Sequence, residues 1–205
     1  PDAGPSWTEA RSSQESRRRS PSFRLRQTRG AVVASTSMRI RPATAADAAA
    51  ILDIYNLEVL TSTVTFDLTP RTMQGQADWL AARSGAYSAL VAETDDEAGP
   101  VLVGFGSISR YRERAGYATT CEDSVYVHRD HHGTGVGSTL LRELVGRATE
   151  HGFHTVMAKI VGGHAASIAL HKRVGFEVVG QEREVGRKFG RWLDVVLMQR
   201  MLADT

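Results

Sequence analysis

Three glycines, Gly133, Gly135 and Gly137, crowd the segment HHGTGVGSTLL, where the apolar run SVYV gives way to a helix-like stretch opening near Gly135. Glycine lets backbone approach a ligand closely, and the first turn of a helix carries unpaired N–H groups and partial positive charge. Together these suit a phosphate or pyrophosphate. Ser138 and Thr139 follow Gly137, so there is no Gly-Lys-Ser/Thr ending to reach a β- or γ-phosphate, and a nucleoside triphosphate does not fit. The dinucleotide pattern fails too: Leu140 stands where a third glycine is needed, and no acidic residue ends a second strand about 20 residues on. The loop alone is equally compatible with a helix-entry turn that holds no ligand.

Other residues with chemistry to offer lie close by. His128, His131 and His132 share a turn with Asp130, but no carboxylate pair at ligand spacing joins them, so no metal site is expected. Cys121 is the only cysteine, which removes any internal disulfide framework or cysteine-based zinc cluster.

The elements that must position these residues belong to an ordinary globular composition. With 205 residues and 41 % hydrophobic content the chain fits one domain plus a tail. No apolar run approaches the roughly 18 residues of a membrane helix, so no membrane partner is expected, and a reducing cytoplasm is the default compartment. The net charge of +2 conceals an asymmetry, because residues 1–37 hold seven Arg against three Asp/Glu, leaving −2 for residues 38–205. That Ser- and Arg-rich segment, with RRRSPSFRLR, lacks periodicity and is expected to be a disordered extension. Its composition allows an organelle leader or an arginine patch for nucleic acid. The plainer expectation is an extension upstream of a start at Met38, with no nucleic-acid partner.

From Met38 the elements alternate. The strand MRIRPA leads to Thr44, an N-cap with Asp47 three residues on, and then to AAAILDIYNLEVL at helical spacing. A second helix ends at Arg83 with Trp79 and Leu80 inward. YSALVAE, VLVGFGSISRY and CEDSVYVH then read as three strands of an antiparallel meander, the first two joined through TDDEAGP. After the glycine loop come a helix from Gly135 to His151, the strand HTVMAKIV, and the short helix AASIALHKRV closed by Gly175. Two strands, FEVVGQERE and RWLDVVLMQ, follow. The expected class is α/β (α+β): a mixed central sheet of about six to seven strands with helices on both faces.

This order, with CEDSVYVHRDHHGTGVGSTLL, SIALHKRVGF and above all VGRKFGRWLDVVLMQR, resembles the GCN5-related N-acetyltransferases from Met38 to about Leu202. Within them it is similar to the phosphinothricin and methionine sulfoximine acetyltransferase group. The resemblance implies acetyl-CoA as co-substrate and a homodimer. It places the pantetheine arm on the backbone of Val125, Tyr126 and Val127, and the pyrophosphate on His132, Gly133, Thr134, Gly135, Val136, Gly137 and Ser138. A peptide-like arm can add to a free strand edge through main-chain hydrogen bonds, although alternate SVYV side chains must still enter the core.

The resemblance also implies a catalytic base at Glu122, with Asp123 sent to the opposite face by strand alternation. A carboxylate of ordinary pKa is a poor base unless burial raises it or a water chain serves it, and a solvent-facing strand glutamate is the plain alternative. His171 occupies the position where many members of the superfamily carry a tyrosine. It could protonate a departing thiolate or contact the cofactor, or be a helix histidine packed on the sheet. His132 stands where Gln or Arg is common, His164 where a coenzyme-contacting Asn is expected, and Phe189 where the phosphinothricin branch often has histidine. An acetyl-enzyme at Cys121 would need a cation that no sequence neighbour supplies, so a core thiol is expected there.

Arg112 and Arg114 precede the catalytic strand, and a guanidinium can grip an α-carboxylate through two parallel hydrogen bonds. Arg114 matches the family's Arg-x-x-Tyr spacing with Tyr117, and Arg112 is a second anchor or a surface charge. TSTVTFD corresponds to the loop that closes over substrate, with Phe66 as an apolar wall, and Lys188 and Arg191 add positive charge nearby. The implied reaction is direct acetyl transfer to the α-amine of a small amino-acid-like substrate such as phosphinothricin or methionine sulfoximine. Acetylation of protein N-termini is the close alternative, and a non-catalytic CoA-binding sensor is another.

Overall fold

In the computed structural model, residues 38–97 and 99–202 are described, so the expected disorder of residues 1–37 lies outside the described residues. Seven strands form one sheet: β1 (Arg39–Pro42), β2 (Ala89–Asp96), β3 (Gly99–Arg110), β4 (Thr120–Val127), β5 (Thr155–Val161), β6 (Glu177–Lys188) and β7 (Arg191–Met201). Their order in space is β1-β2-β3-β4-β5-β7-β6. All neighbouring pairs are antiparallel except β4 with β5, so the sheet is mixed, as the alternation of elements implied.

Four helices cover the two faces. Along β2, Val91 faces Ile51, Ile54, Tyr55 and Val59 of α1 (Ala48–Thr61), and Trp79 and Leu80 of α2 (Met73–Ala81) join that layer. Its neighbours Leu90 and Ala92 point the other way into a larger core with Leu140, Leu141, Leu144 and Ala148 of α3 (Val136–Glu150) and Ile168 and Leu170 of α4 (Ala165–Arg173). The period-two alternation of a strand thus feeds two cores from one segment.

Capping fixes where α1 begins. Asp47 Oδ2 accepts from Thr44 N at 2.7 Å and from Thr44 Oγ1 at 2.9 Å, closing the turn Ala45–Asp47 ahead of the helix. The same carboxylate takes a fork from Arg41, Nη1 to Oδ2 at 2.8 Å and Nη2 to Oδ1 at 2.7 Å, while Arg41 Nε donates to Glu93 Oε1 at 2.8 Å. Arg41 therefore stitches the edge strand to α1 and β2. Its guanidinium holds the Asp47 carboxyl down at about 2, well below the ordinary 3.8.

A depressed carboxylate pKa contributes stability that is full above the unfolded value and is lost as pH falls through the folded one. Arg41→Ala should therefore cost about 2 kcal/mol at pH 7, since two buried carboxylates lose their shared partner. The difference between variant and parent in urea midpoint should shrink as pH is taken toward about 2. A pH-independent difference would mean that packing, not charge, is what Arg41 supplies.

Candidate active site

The parallel ladder between β4 and β5 is short. Thr120, Cys121 and Glu122 pair with Thr155, Val156 and Met157, and beyond Glu122 the two strands part. From Asp123 to Val127 strand β4 has no strand on its β5 side, and the gap opens into a cavity of about 410 Å³ between β4, β5, α4 and the loop before α3. A sheet interior does not leave backbone unpaired without a partner to satisfy it, and an extended peptide-like arm is such a partner.

The glycine loop forms one end of this cavity. Gly135 is the N-cap of α3 at φ 94°, a conformation open to glycine at no steric cost, and a Cβ there would meet nothing within 4 Å. Gly137 serves packing instead: a Cβ on it would lie 3.2 Å from Leu170 Cδ2 and 3.5 Å from Val127 Cγ2, so glycine lets α3 approach α4 and β4. His132, Gly133, Gly135, Val136, Gly137 and Ser138 all line the cavity, with Val136 sending its side chain into the core. Thr134 departs from that set, because its hydroxyl donates to His131 O at 2.7 Å and it does not line the cavity. His132 Nε2 lies 3.0 Å from Val127 O, so the ring currently occupies the last strand carbonyl expected for the cofactor arm. The amide-rich entry and the unpaired strand edge fit a pyrophosphate and a pantetheine arm, and thereby coenzyme A.

Where β4 and β5 part, two acidic residues of β4 point to opposite faces, as alternation requires, and of the two Asp123 lines the cavity. Asp123 is 6 % exposed and its Oδ2 lies 3.1 Å from His171 Nε2, while His171 Nδ1 donates to Ser167 O at 2.7 Å. Burial pushes the His171 pKa down, but the hydrogen bond and charge of Asp123 outweigh it, and the net shift is upward. A ring bonded at both nitrogens is a tie between α4 and β4. Of the two readings open for His171, a proton donor and a helix histidine packed on the sheet, these bonds favour the second, although its ring does line the cavity. His164 is exposed at the N-cap of α4 and also lines it.

Glu122 faces the opposite side and meets Lys159 of β5, Nζ to Oε2 2.7 Å. Burial raises the Glu122 pKa, with Lys159 working against the rise. Lys159 Nζ also lies 5.3 Å from the centre of the Tyr111 ring, which packs edge-on against Tyr117. Tyr117 stands at Arg-x-x-Tyr spacing from Arg114, and its ring lies beneath the guanidinium of Arg112. Arg112 stands over the Tyr111 and Tyr117 rings at 4.9 and 5.3 Å and donates from Nη2 to Tyr111 Oη at 3.2 Å. Arg114 is exposed and caps the turn Ala115–Tyr117.

The segment after α1 closes this side. Phe66 lies over Gly186 of β6, where a Cβ would come within 2.4 Å of its ring, and Lys188 Nζ donates to Thr65 O at 2.9 Å. Lys188 is 2 % exposed and its charge is spent on anchoring the segment, whereas Arg191 is exposed. Cys121 is fully buried, and burial pushes its thiol up to about 12, which leaves no nucleophilic thiolate near neutrality.

Beyond geometry, the sequence model of the acetyltransferase (GNAT) family matches residues 51–176, more than half of the chain. The chain belongs to this family. It is 45 % identical over 170 residues to an L-methionine sulfoximine/L-methionine sulfone acetyltransferase of Pseudomonas paraeruginosa, covering 82 % of this chain and 97 % of that one. Among solved structures, a GNAT superfamily phosphinothricin acetyltransferase from Sinorhizobium meliloti in complex with acetyl-CoA matches with a TM-score of 0.76 at 40 % identity, over 81 % of this chain and 89 % of the other. A ribosomal-protein-alanine N-acetyltransferase from Brucella melitensis matches at 0.75 and 41 %, over 80 % and 99 %.

At this GNAT site the sequence left Lys159 unnoticed, and for Asp123 it left the partner, His171, unnoticed. Lys159 could have been noticed as the one charge within the apolar strand TVMAKIV. Asp123 carried no such signal, because its partner lies 48 residues away on a helix.

Proposed function

We propose that this protein transfers the acetyl group of acetyl-CoA directly to the α-amine of a small amino-acid-like substrate of the phosphinothricin or methionine sulfoximine and sulfone type. The observation that carries the reading is the opening between β4 and β5. The cofactor loop lies at one end of it, and near the other the half-buried carboxylate of Glu122 pairs with Lys159, which lines the opening. Names of close relatives support the substrate class.

Residues of the chain divide the work. The N-terminal amides of α3 and the unpaired edge of β4 hold and orient the cofactor, which supplies an activated acetyl thioester. Glu122 takes a proton from the substrate ammonium, a role suited to a carboxylate whose pKa burial has raised. The α-carboxylate is gripped by arginine, and Phe66 walls the apolar part of the substrate. The cytoplasm is the compartment we assign. A homodimer is the assembly, supported by the exposed Val178, Val179, Val185, Phe189 and Trp192 on the β6–β7 end of the sheet.

A thiol-release assay with phosphinothricin, methionine sulfoximine, methionine sulfone and N-terminal peptides tests the reading. Release with the amino-acid analogues is expected. Release with alanine-headed peptides alone would favour protein N-termini, the activity named for the Brucella relative. Silence across the panel with coenzyme binding retained would assign a sensor.

Stacking on two tyrosines makes Arg112 the better-held guanidinium of the pair. Arg112→Ala should raise substrate KM about tenfold or more, Arg114→Ala less, and both should leave the acetyl-CoA KM nearly unchanged. Equal effects on both KM values would remove the carboxylate clamp.

A further inference from the structure

Lysine is rare in this chain: of 25 Lys and Arg residues only Lys159, Lys172 and Lys188 are lysine. The distinction is chemical. A guanidinium stays protonated in proteins, whereas an amine that gives up its proton is a nucleophile. Lys188 is buried and bonded to Thr65 O, and Lys172 is exposed on the last turn of α4. Of the three, only Lys159 lines the cavity.

Its placement is not that of an ordinary surface charge. Lys159 rises from β5 between the buried Ala158 and Ile160, its side chain is 40 % exposed, and its Nζ lies 2.7 Å from Glu122 Oε2. Glu122 is the carboxylate assigned to take a proton from an incoming ammonium. A resident ammonium already stands in that relation to it.

We propose that Lys159 is an internal acetyl acceptor: when no small amine occupies the site, the enzyme transfers the acetyl group of acetyl-CoA to Lys159 Nζ. The inference rests on the acetyl-transfer reading above. Glu122 takes one ammonium proton, and the freed lone pair forms the C–N bond to the thioester carbonyl carbon as the C–S bond breaks. A second proton passes from nitrogen to the departing sulfur, so coenzyme A leaves as the thiol. The third stays on the amide nitrogen, Glu122 returns its proton to solvent, and no further reactant is required. Acetylation removes the charge and ends the ion pair, so a later amine meets a neutral amide beside Glu122.

The test is acetyl-lysine quantification at the three lysines by mass spectrometry, after incubating the full-length protein with acetyl-CoA. It is run on wild type and Glu122→Gln, with and without methionine sulfone, alongside the thiol-release panel. Lys159 should be acetylated at least about tenfold faster than Lys172, in line with general-base assistance. The excess should vanish in Glu122→Gln and fall when methionine sulfone competes. Lys159→Arg keeps the charge and provides the blank for the assignment. If Lys159 reacts no faster than the exposed Lys172 in the wild type, or equally fast in Glu122→Gln, direct chemical acetylation is all there is and the proposal fails. Thiol release with free amines while Lys159 stays unmodified sinks only this inference. An absence of release with every amine, and of acetyl on Lys159, removes the acetyl-transfer reading itself.

Discussion

Glu122→Gln lowers kcat about 10²- to 10⁴-fold while the affinity for acetyl-CoA stays within about twofold, the range expected when a general base is lost and its shape is kept. Glutamine preserves the volume beside Lys159 and can still accept a hydrogen bond from Nζ, so the strand and the cofactor edge are undisturbed. What disappears is the ability to take a proton. Because burial holds the Glu122 carboxyl above the ordinary 4.5 and the base works only when ionised, the acid limb of kcat/KM in the parent should lie above that pH. In the variant that limb should be absent. Steady-state thiol release across pH, with calorimetric titration of acetyl-CoA beside it, checks both statements. An unchanged kcat near neutral pH would strip Glu122 of the role.

The largest stability effect is expected at Asp123. Asp123→Ala removes the carboxylate from a pair in which the His171 and Asp123 side chains are 6 % and 1 % exposed, and it leaves a buried imidazole facing an emptied space. Breaking such a pair costs about 3 kcal/mol, or a melting temperature lower by about 10 °C for a domain of this size. The pH dependence has a definite sign. The His171 pKa is raised on folding, so the pair's contribution is complete below the unfolded value of about 6.5 and is lost as pH rises through the folded value. The gap in melting temperature between variant and parent should therefore be widest at pH 5 to 6 and narrow in alkaline buffer, a range set by the ordinary and raised imidazole pKa. A gap that does not narrow would mean that the carboxylate contributes shape only.

Local physics made much of this molecule legible in its sequence. Thr44 and Asp47 announce the start of the first helix because a capping box is a three-residue affair, and Gly175 marks the end of α4 because few other residues take its φ of 86°. Strand alternation alone sends Glu122 and Asp123 to opposite faces. What alternation cannot supply is the partner. Glu122 meets Lys159 only because β4 and β5 run parallel in a register fixed by the whole sheet, and Asp123 meets His171 only because α4 docks over the gap. The burial of Lys188 was out of reach for a related reason, because it depends on the segment around Thr65 folding over the side chain. That Tyr117 also lies under Arg112 was not legible, because the turn Ala115–Tyr117 bends the chain so that spacing along it no longer measures distance.

The three-pair ladder between β4 and β5 has a consequence for the protein's lifetime. The two halves of the sheet are directly joined there by little more than that ladder, so a ligand seated in the gap completes the fold as a missing strand would. Whatever binds the native state but not the unfolded chain stabilises it by mass action, about 2.7 kcal/mol when the ligand stands at a hundred times its Kd. A chain built this way should be hardest to unfold where coenzyme A is in excess, with a melting temperature that rises with coenzyme concentration.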